Sequence, residues 1–102
     1  MIPRKVIVGP RARQDLFEIA IWIAEAASLG TAQRYVAKVD EHLKGFDLAA
    51  QRGTARNDVR TGIRVVGYRR QLTIAFTVDD DVVTIVRIFR AGEDWESDLA
   101  DR

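Results

Sequence analysis

Three arginines pose the chemical question in this sequence. Arg64, Arg87 and Arg90 lie in β-branched, apolar runs of the C-terminal half. Guanidinium groups gathered on a sheet could stabilise the charge that develops on a phosphodiester while a nearby base activates an RNA 2′-OH. That chemistry needs no histidine, but it does need a partner for the proton transfers. Tyr68 is the nearest candidate, and it falls in an expected turn. The segment that follows, Gly92-Glu93-Asp94-Trp95-Glu96, is acidic and would repel a phosphodiester. The residues therefore argue against a nuclease. Recognition of a partner, or ion pairing within the sheet, remains for Arg64 and Arg87, and arginine suits both through its planar, bidentate donors.

Other chemistries find less support. The single histidine, His42, sits mid-helix beside apolar neighbours, the setting of a packed residue rather than a catalytic base. With no cysteine and one histidine, a zinc site would need three carboxylates that the spacing does not supply. Ser28 and Ser97 have no His and Asp partners for a nucleophilic triad. Neither GxxxxGK[ST] nor GxGxxG occurs. Asp79-Asp80-Asp81 reads as a solvated turn, since adjacent side chains in a tight hairpin point apart. No catalytic residue, cofactor or metal is expected.

The elements that must position the arginines are legible. Leu72, Ile74, Phe76 and Val78 alternate with Thr73, Ala75 and Thr77, the pattern of a strand with one buried face. The aspartate run turns the chain into Val82 to Phe89, apolar except at Thr84 and Arg87, which predicts a strand inside the sheet. Ile63 to Val66 supplies another strand, and Gly67 to Arg70 the connection. Near the N-terminus, Lys5 to Val8 is a short strand between Pro3 and Gly9-Pro10.

Two helices fit between. Pro10 suits a first helical turn. Leu16, Ile19, Ala20, Ile23 and Ala27 then follow helical spacing, while Phe17, Ile21 and Ala24 widen the stripe enough for contact on two sides. Ser28-Leu29-Gly30 breaks this helix, and Thr31 is the expected N-cap of the next. That second helix carries Tyr35, Val39, His42, Leu43 and Phe46 and runs to about Leu48. Gln51 to Thr61 reads as a loop, and Glu93 to Asp101 as one or two helical turns. The result is a single α+β domain over residues 1–102: a two-layer β-α-α-β-β-β arrangement, its helical hairpin packed on a small, mostly antiparallel sheet.

A net charge of +1 conceals segregation. Residues 52–90 hold eight arginines against four aspartates, whereas residues 91–102 hold five acids and one arginine. The basic stretch is either a recognition surface or a solvated sheet edge. No apolar run approaches the ~20 residues of a membrane span, and no signal-peptide pattern opens the chain, so a cytoplasmic protein is expected.

The chain resembles the RelE/ParE toxin superfamily, and its ParE-like branch in particular. The likeness runs through Asp15-Leu16, Ile19-Ala20 and Trp22-Ile23-Ala24-Glu25, then Ala32 and Tyr35-Val36. It continues in Gly62-Ile63-Arg64, Ile74 to Val78 and Val86 to Arg90, and ends at Asp94-Trp95. It implies a type II toxin neutralised by a small ParD-like antitoxin that folds on binding. ParE-like members are associated with inhibition of DNA gyrase through protein contact; RelE-like members cut mRNA on the ribosome. Arg90 stands where many ParE-like chains have histidine, and the RelE catalytic set has no clear counterpart after it. Under this resemblance Trp22, Arg64, Arg87, Arg90, Asp94 and Trp95 are the candidate partner-binding residues. Trp22 is either a docking anchor or a core residue. Trp95 is expected to tether the tail, with Asp94 pairing a sheet arginine such as Arg87. No direct nucleic-acid binding and no membrane contact are expected.

Overall fold

In the computed structural model, which describes residues 3–47 and 52–100, period-2 alternation builds the middle of the sheet. Strand β4 (Leu72–Val78) buries Leu72, Ile74 and Phe76 on one face. Strands β1 (Lys5–Val8), β2 (Thr54–Ala55), β3 (Arg64–Tyr68) and β5 (Val82–Arg90) complete it in the order β1-β5-β4-β3-β2. Only β1, beside β5, is parallel to its neighbour. The continuous apolar run of β5 thus sits between two strands, as its composition predicts.

The run in β5 has a second cause. Ala75 pairs with Arg87 but Phe76 pairs with Ile85, so the bulge leaves Val86 without an opposite residue. Ile85 and Ile88, three apart, therefore both pack with the helices, whereas Phe89 belongs to a cluster on the far face. Alternation is lost because the strand is bulged as well as buried.

Helices α1 (Pro10–Ala26) and α2 (Leu29–Lys44) form the hairpin over the first face. Pro10 opens α1 as expected. At the N-cap, Gly9 donates its N–H to Ile85 O at 2.9 Å, and a Cβ there would stand 3.1 Å from that oxygen. Ala12, Leu16 and Ile19 of α1 meet Val39 and Leu43 of α2, Phe46 in the 3-10 turn Gly45–Asp47, and Phe76 below. Phe46 and Phe76 cross edge to face at 5.0 Å. Burying a side chain of this size contributes about 1.5–3 kcal/mol.

Several boundaries differ from expectation, those of β5 and the tail helix by one or two residues. The N-cap of α2 is Ser28 rather than Thr31: Ser28 Oγ accepts the Thr31 N–H at 3.1 Å, so the helix starts three residues earlier and absorbs Gly30. Strand β3 continues through Gly67 and Tyr68, which pair with Thr73 and Leu72. The expected loop contains β2, where a Cβ on Gly53 (φ +76°) would fall 2.3 Å from Val65 O. The second helix ends at Lys44 before the 3-10 turn; Leu48, Gln51 and Asp101 lie outside the described residues.

The far face of the sheet is covered too. Ile63, Ala75 and Phe89 form a smaller core with Leu99 of α3 (Trp95–Leu99), the tail helix, and Val59, Val65, Val86 and Trp95 pack around it.

Candidate partner-binding surface

The sheet arginines do not form one group. β4 separates β3 from β5, so Arg64 and Arg87 are not on neighbouring strands. Arg64 pairs with Phe76, a residue of the helix-side core, whereas Arg87 pairs with Ala75, which packs in the far-face cluster. Each is drawn into the fold. Arg64 donates from Nε to Arg52 O at 3.2 Å and from Nη2 to Gly53 O at 3.3 Å, fastening β2 to β3.

Arg87 is held by Asp15 of α1, not by Asp94. Its Nε and Nη2 donate to the two carboxylate oxygens at 2.8 and 3.2 Å. The Ile88 N–H donates to Asp15 Oδ2 at 2.9 Å. The register explains this. β1 ends at Val8, opposite Ile85, so beyond that pair the edge of β5 is open, and the carboxylate of α1 takes the place of a strand carbonyl. Asp15 is buried, and its hydrogen bond raises the Arg87 pKa above the ordinary guanidinium value. Helix periodicity carries a trace of this: Asp15 lies one turn before Ile19 on the apolar stripe, where a charge needs a partner.

The tail closes on a different arginine. Arg56 donates to both oxygens of Asp58 at 2.9 and 2.8 Å and to Glu96 at 2.7 Å, and its guanidinium lies 5.1 Å from the Trp95 ring centre. Those contacts raise the Arg56 pKa, and the Arg56 hydrogen bond holds Asp58 below the usual carboxylate range. Trp95 is half-buried against the far-face core, so it tethers the tail. Asp94 caps α3, accepting the Ser97 N–H at 3.3 Å.

Trp22 and Arg90 do come together. Trp22 is 53% exposed, so it is a surface residue and not part of the core, and the Arg90 guanidinium lies 4.9 Å over its ring. The Arg90 N–H donates to Glu93, but its guanidinium makes no ion pair among the described residues. Beside this stack, the β3–β4 turn closes through Gln71 N–H to Tyr68 O at 2.9 Å. Both central residues, Arg69 (φ 50°) and Arg70 (φ 59°), are left-handed, the arrangement a type I′ turn requires and Asn-Gly ordinarily fills. A side chain in that conformation costs about 1 kcal/mol. The turn is mounted firmly. Tyr68 lies 4.6 Å from His42 and 6.5 Å from Tyr35, and Tyr35 Oη donates to Gln71 Oε1 at 3.0 Å. Burial raises the Tyr35 pKa and lowers that of His42, whose Nε2 is buried without a hydrogen-bond partner among the described residues. The missing Gly or Asn in the turn is the sequence signal for this site.

A second exposed surface lies on the other flank of α1. Phe17 and Ile21 are 61% and 43% exposed and Leu29 is 66% exposed; with Ala20, Ala24 and Val36 they line an apolar groove along the hairpin. The widened stripe of α1 thus leaves an unpaired apolar side.

The model of the ParE toxin of the type II toxin–antitoxin system parDE matches residues 6–95. The chain belongs to the ParE toxin family. Among solved structures, the chromosomal ParDE toxin–antitoxin system from P. aeruginosa is similar, with a TM-score of 0.75 and 22% identity over 86% of this chain and 96% of that one. The RelBE2 toxin–antitoxin complex from Mycobacterium tuberculosis is also similar, with a TM-score of 0.67 and 21% identity over 91% of this chain and 97% of that one. Both likenesses show the shared α+β fold. A comparison with curated proteins returns no match. As a ParE-family member, the chain is the toxin of a type II toxin–antitoxin pair. Among the described residues no helix is long and apolar enough to cross a membrane, and no group of acidic, histidine or cysteine side chains could hold a metal.

Proposed function

We propose that this ParE-family chain acts in the cytoplasm by protein contact rather than catalysis, inhibiting DNA gyrase, and that a ParD-like antitoxin neutralises it. The observation that carries this reading is the internal use of the sheet arginines. A nuclease needs guanidinium groups facing one substrate, yet Arg64 is spent on loop carbonyls and Arg87 on Asp15. Trp22 and Arg90 face outward and are the contact residues for a partner. Arg64, Arg87, Asp94 and Trp95 are engaged in contacts within the fold. The antitoxin lays the apolar side of an amphipathic segment along Phe17, Ile21 and Leu29, burying a surface this chain leaves exposed.

The RelBE2 likeness favours one alternative, ribosome-dependent mRNA cleavage. Supercoiling by purified gyrase, run beside ribosome-programmed mRNA cleavage with the same preparation, separates the two. Blocked supercoiling with intact mRNA is the expected result; cut mRNA with unaffected gyrase would overturn it.

A further inference from the structure

We propose that the β3–β4 turn and the Trp22–Arg90 stack form one docking site for an acidic protein segment that also carries an aromatic or aliphatic side chain. The depression between them has an apolar floor of Trp22, Ile23 and Leu72, with Tyr35 behind and Arg70 and Arg90 at the rim. Arg69, its neighbour in the turn, lies beside Lys38, Glu41 and His42 with its guanidinium 5.4 Å from the Tyr68 ring centre. Neither Arg69 nor Arg70 has an ion-pair partner among the described residues. A turn chosen for folding alone would carry Asn-Gly; two left-handed arginines weaken the turn, and among the described residues their heads return to the fold only the Arg69 contact with the Tyr68 ring. Their mounting on Tyr68, His42 and Tyr35 presents the charges already ordered, which lowers the entropic cost of binding.

Carboxylate-bearing protein fits this rim better than nucleic acid. The apolar floor between Arg70 and Arg90 receives an aliphatic or aromatic side chain, which a phosphate backbone does not offer. A short peptide can place carboxylates on Arg70 and Arg90 and an apolar side chain on the floor. That the segment belongs to the toxin's target, rather than to its antitoxin, rests on the reading above; the site itself stands on these residues.

The test is fluorescence anisotropy of the full chain with three labelled probes of equal length. One is a peptide of Glu and Asp interspersed with Phe and Leu, another has Gln and Asn replacing the acids, and the third is single-stranded DNA. The acidic peptide should bind best, and more weakly as salt rises. Arg69→Asn/Arg70→Gly should weaken it about tenfold or more while raising resistance to urea, since the turn is relieved. Arg90→Gln, which leaves the turn intact, should weaken it as well. Equal binding of the acidic and neutral peptides, tighter binding of DNA, or unchanged affinity in both variants would overturn the proposal. Failure of the toxin reading would register separately, as supercoiling and mRNA both untouched while peptide binding persists.

Discussion

Arg87 and Arg90 stand three residues apart on one strand and live in opposite circumstances. Arg87 is half-buried, bound through two nitrogens to the carboxylate of Asp15, and closes the open edge of β5. Arg90 reaches past the end of the sheet, lies over an exposed indole and meets no carboxylate through its guanidinium among the described residues. Arg64 goes with the first, while Arg69 and Arg70 go with the second. A surplus of arginine in the sequence is therefore two populations. One is structural, defined by acceptors within reach; the other makes no ion pair among the described residues.

The largest expected effect would break the structural side of this contrast. Asp15→Ala leaves a half-buried guanidinium unpaired and the Ile88 N–H without its acceptor, and should cost about 3 kcal/mol in urea denaturation. Asp15→Asn keeps an acceptor and should cost less. If both variants unfold at the wild-type midpoint, Arg87 is not the strut described here. Next comes the apolar flank. Ile21→Glu should change stability by no more than about 0.5 kcal/mol, yet weaken antitoxin binding by about 2 kcal/mol in calorimetry, near thirtyfold. Arg90→Ala should cost the fold at most about 1 kcal/mol, the scale of an exposed cation–aromatic contact, and its loss should appear in partner binding instead.

The smallest effect concerns pH. The folded-state pKa of His42 lies below its ordinary value, chiefly through burial, with Arg52 and Arg69 adding to it. The unfolded chain then binds the proton first. Stability from this group is present above about pH 6.5 and falls as pH drops below it, until the folded pKa is passed. His42→Leu should flatten the stability profile between about pH 7 and pH 5; an unchanged slope would assign it to other groups.

Much of this architecture is legible in the residues. The alternation in Leu72 to Val78 and the uninterrupted run after the aspartates place two strands and their order in the sheet correctly. Trp22 and Arg90 are likewise identifiable before their meeting is known. What periodicity misses depends on register. The bulge at Val86 decides on which side of the sheet Arg87 stands, and no propensity marks it. The end of β1 opposite Ile85 decides that an α1 carboxylate is needed at all, so the partner of Arg87 comes from 72 positions away instead of from the nearby acidic tail. Ser28 outcompetes Thr31 because both are good caps and only the two-residue link between the helices chooses. The arginine pair at 69 and 70 looks like an ordinary connection until its positive φ angles are seen.

Supercoiling by purified gyrase with wild-type protein and with Arg90→Ala, matched for folded fraction, addresses the division of the arginines most directly. Inhibition by the wild type and its loss in the variant, with the urea midpoint nearly unmoved, is the predicted result. Equal inhibition by both proteins would contradict it and send the target contact to another surface of the toxin.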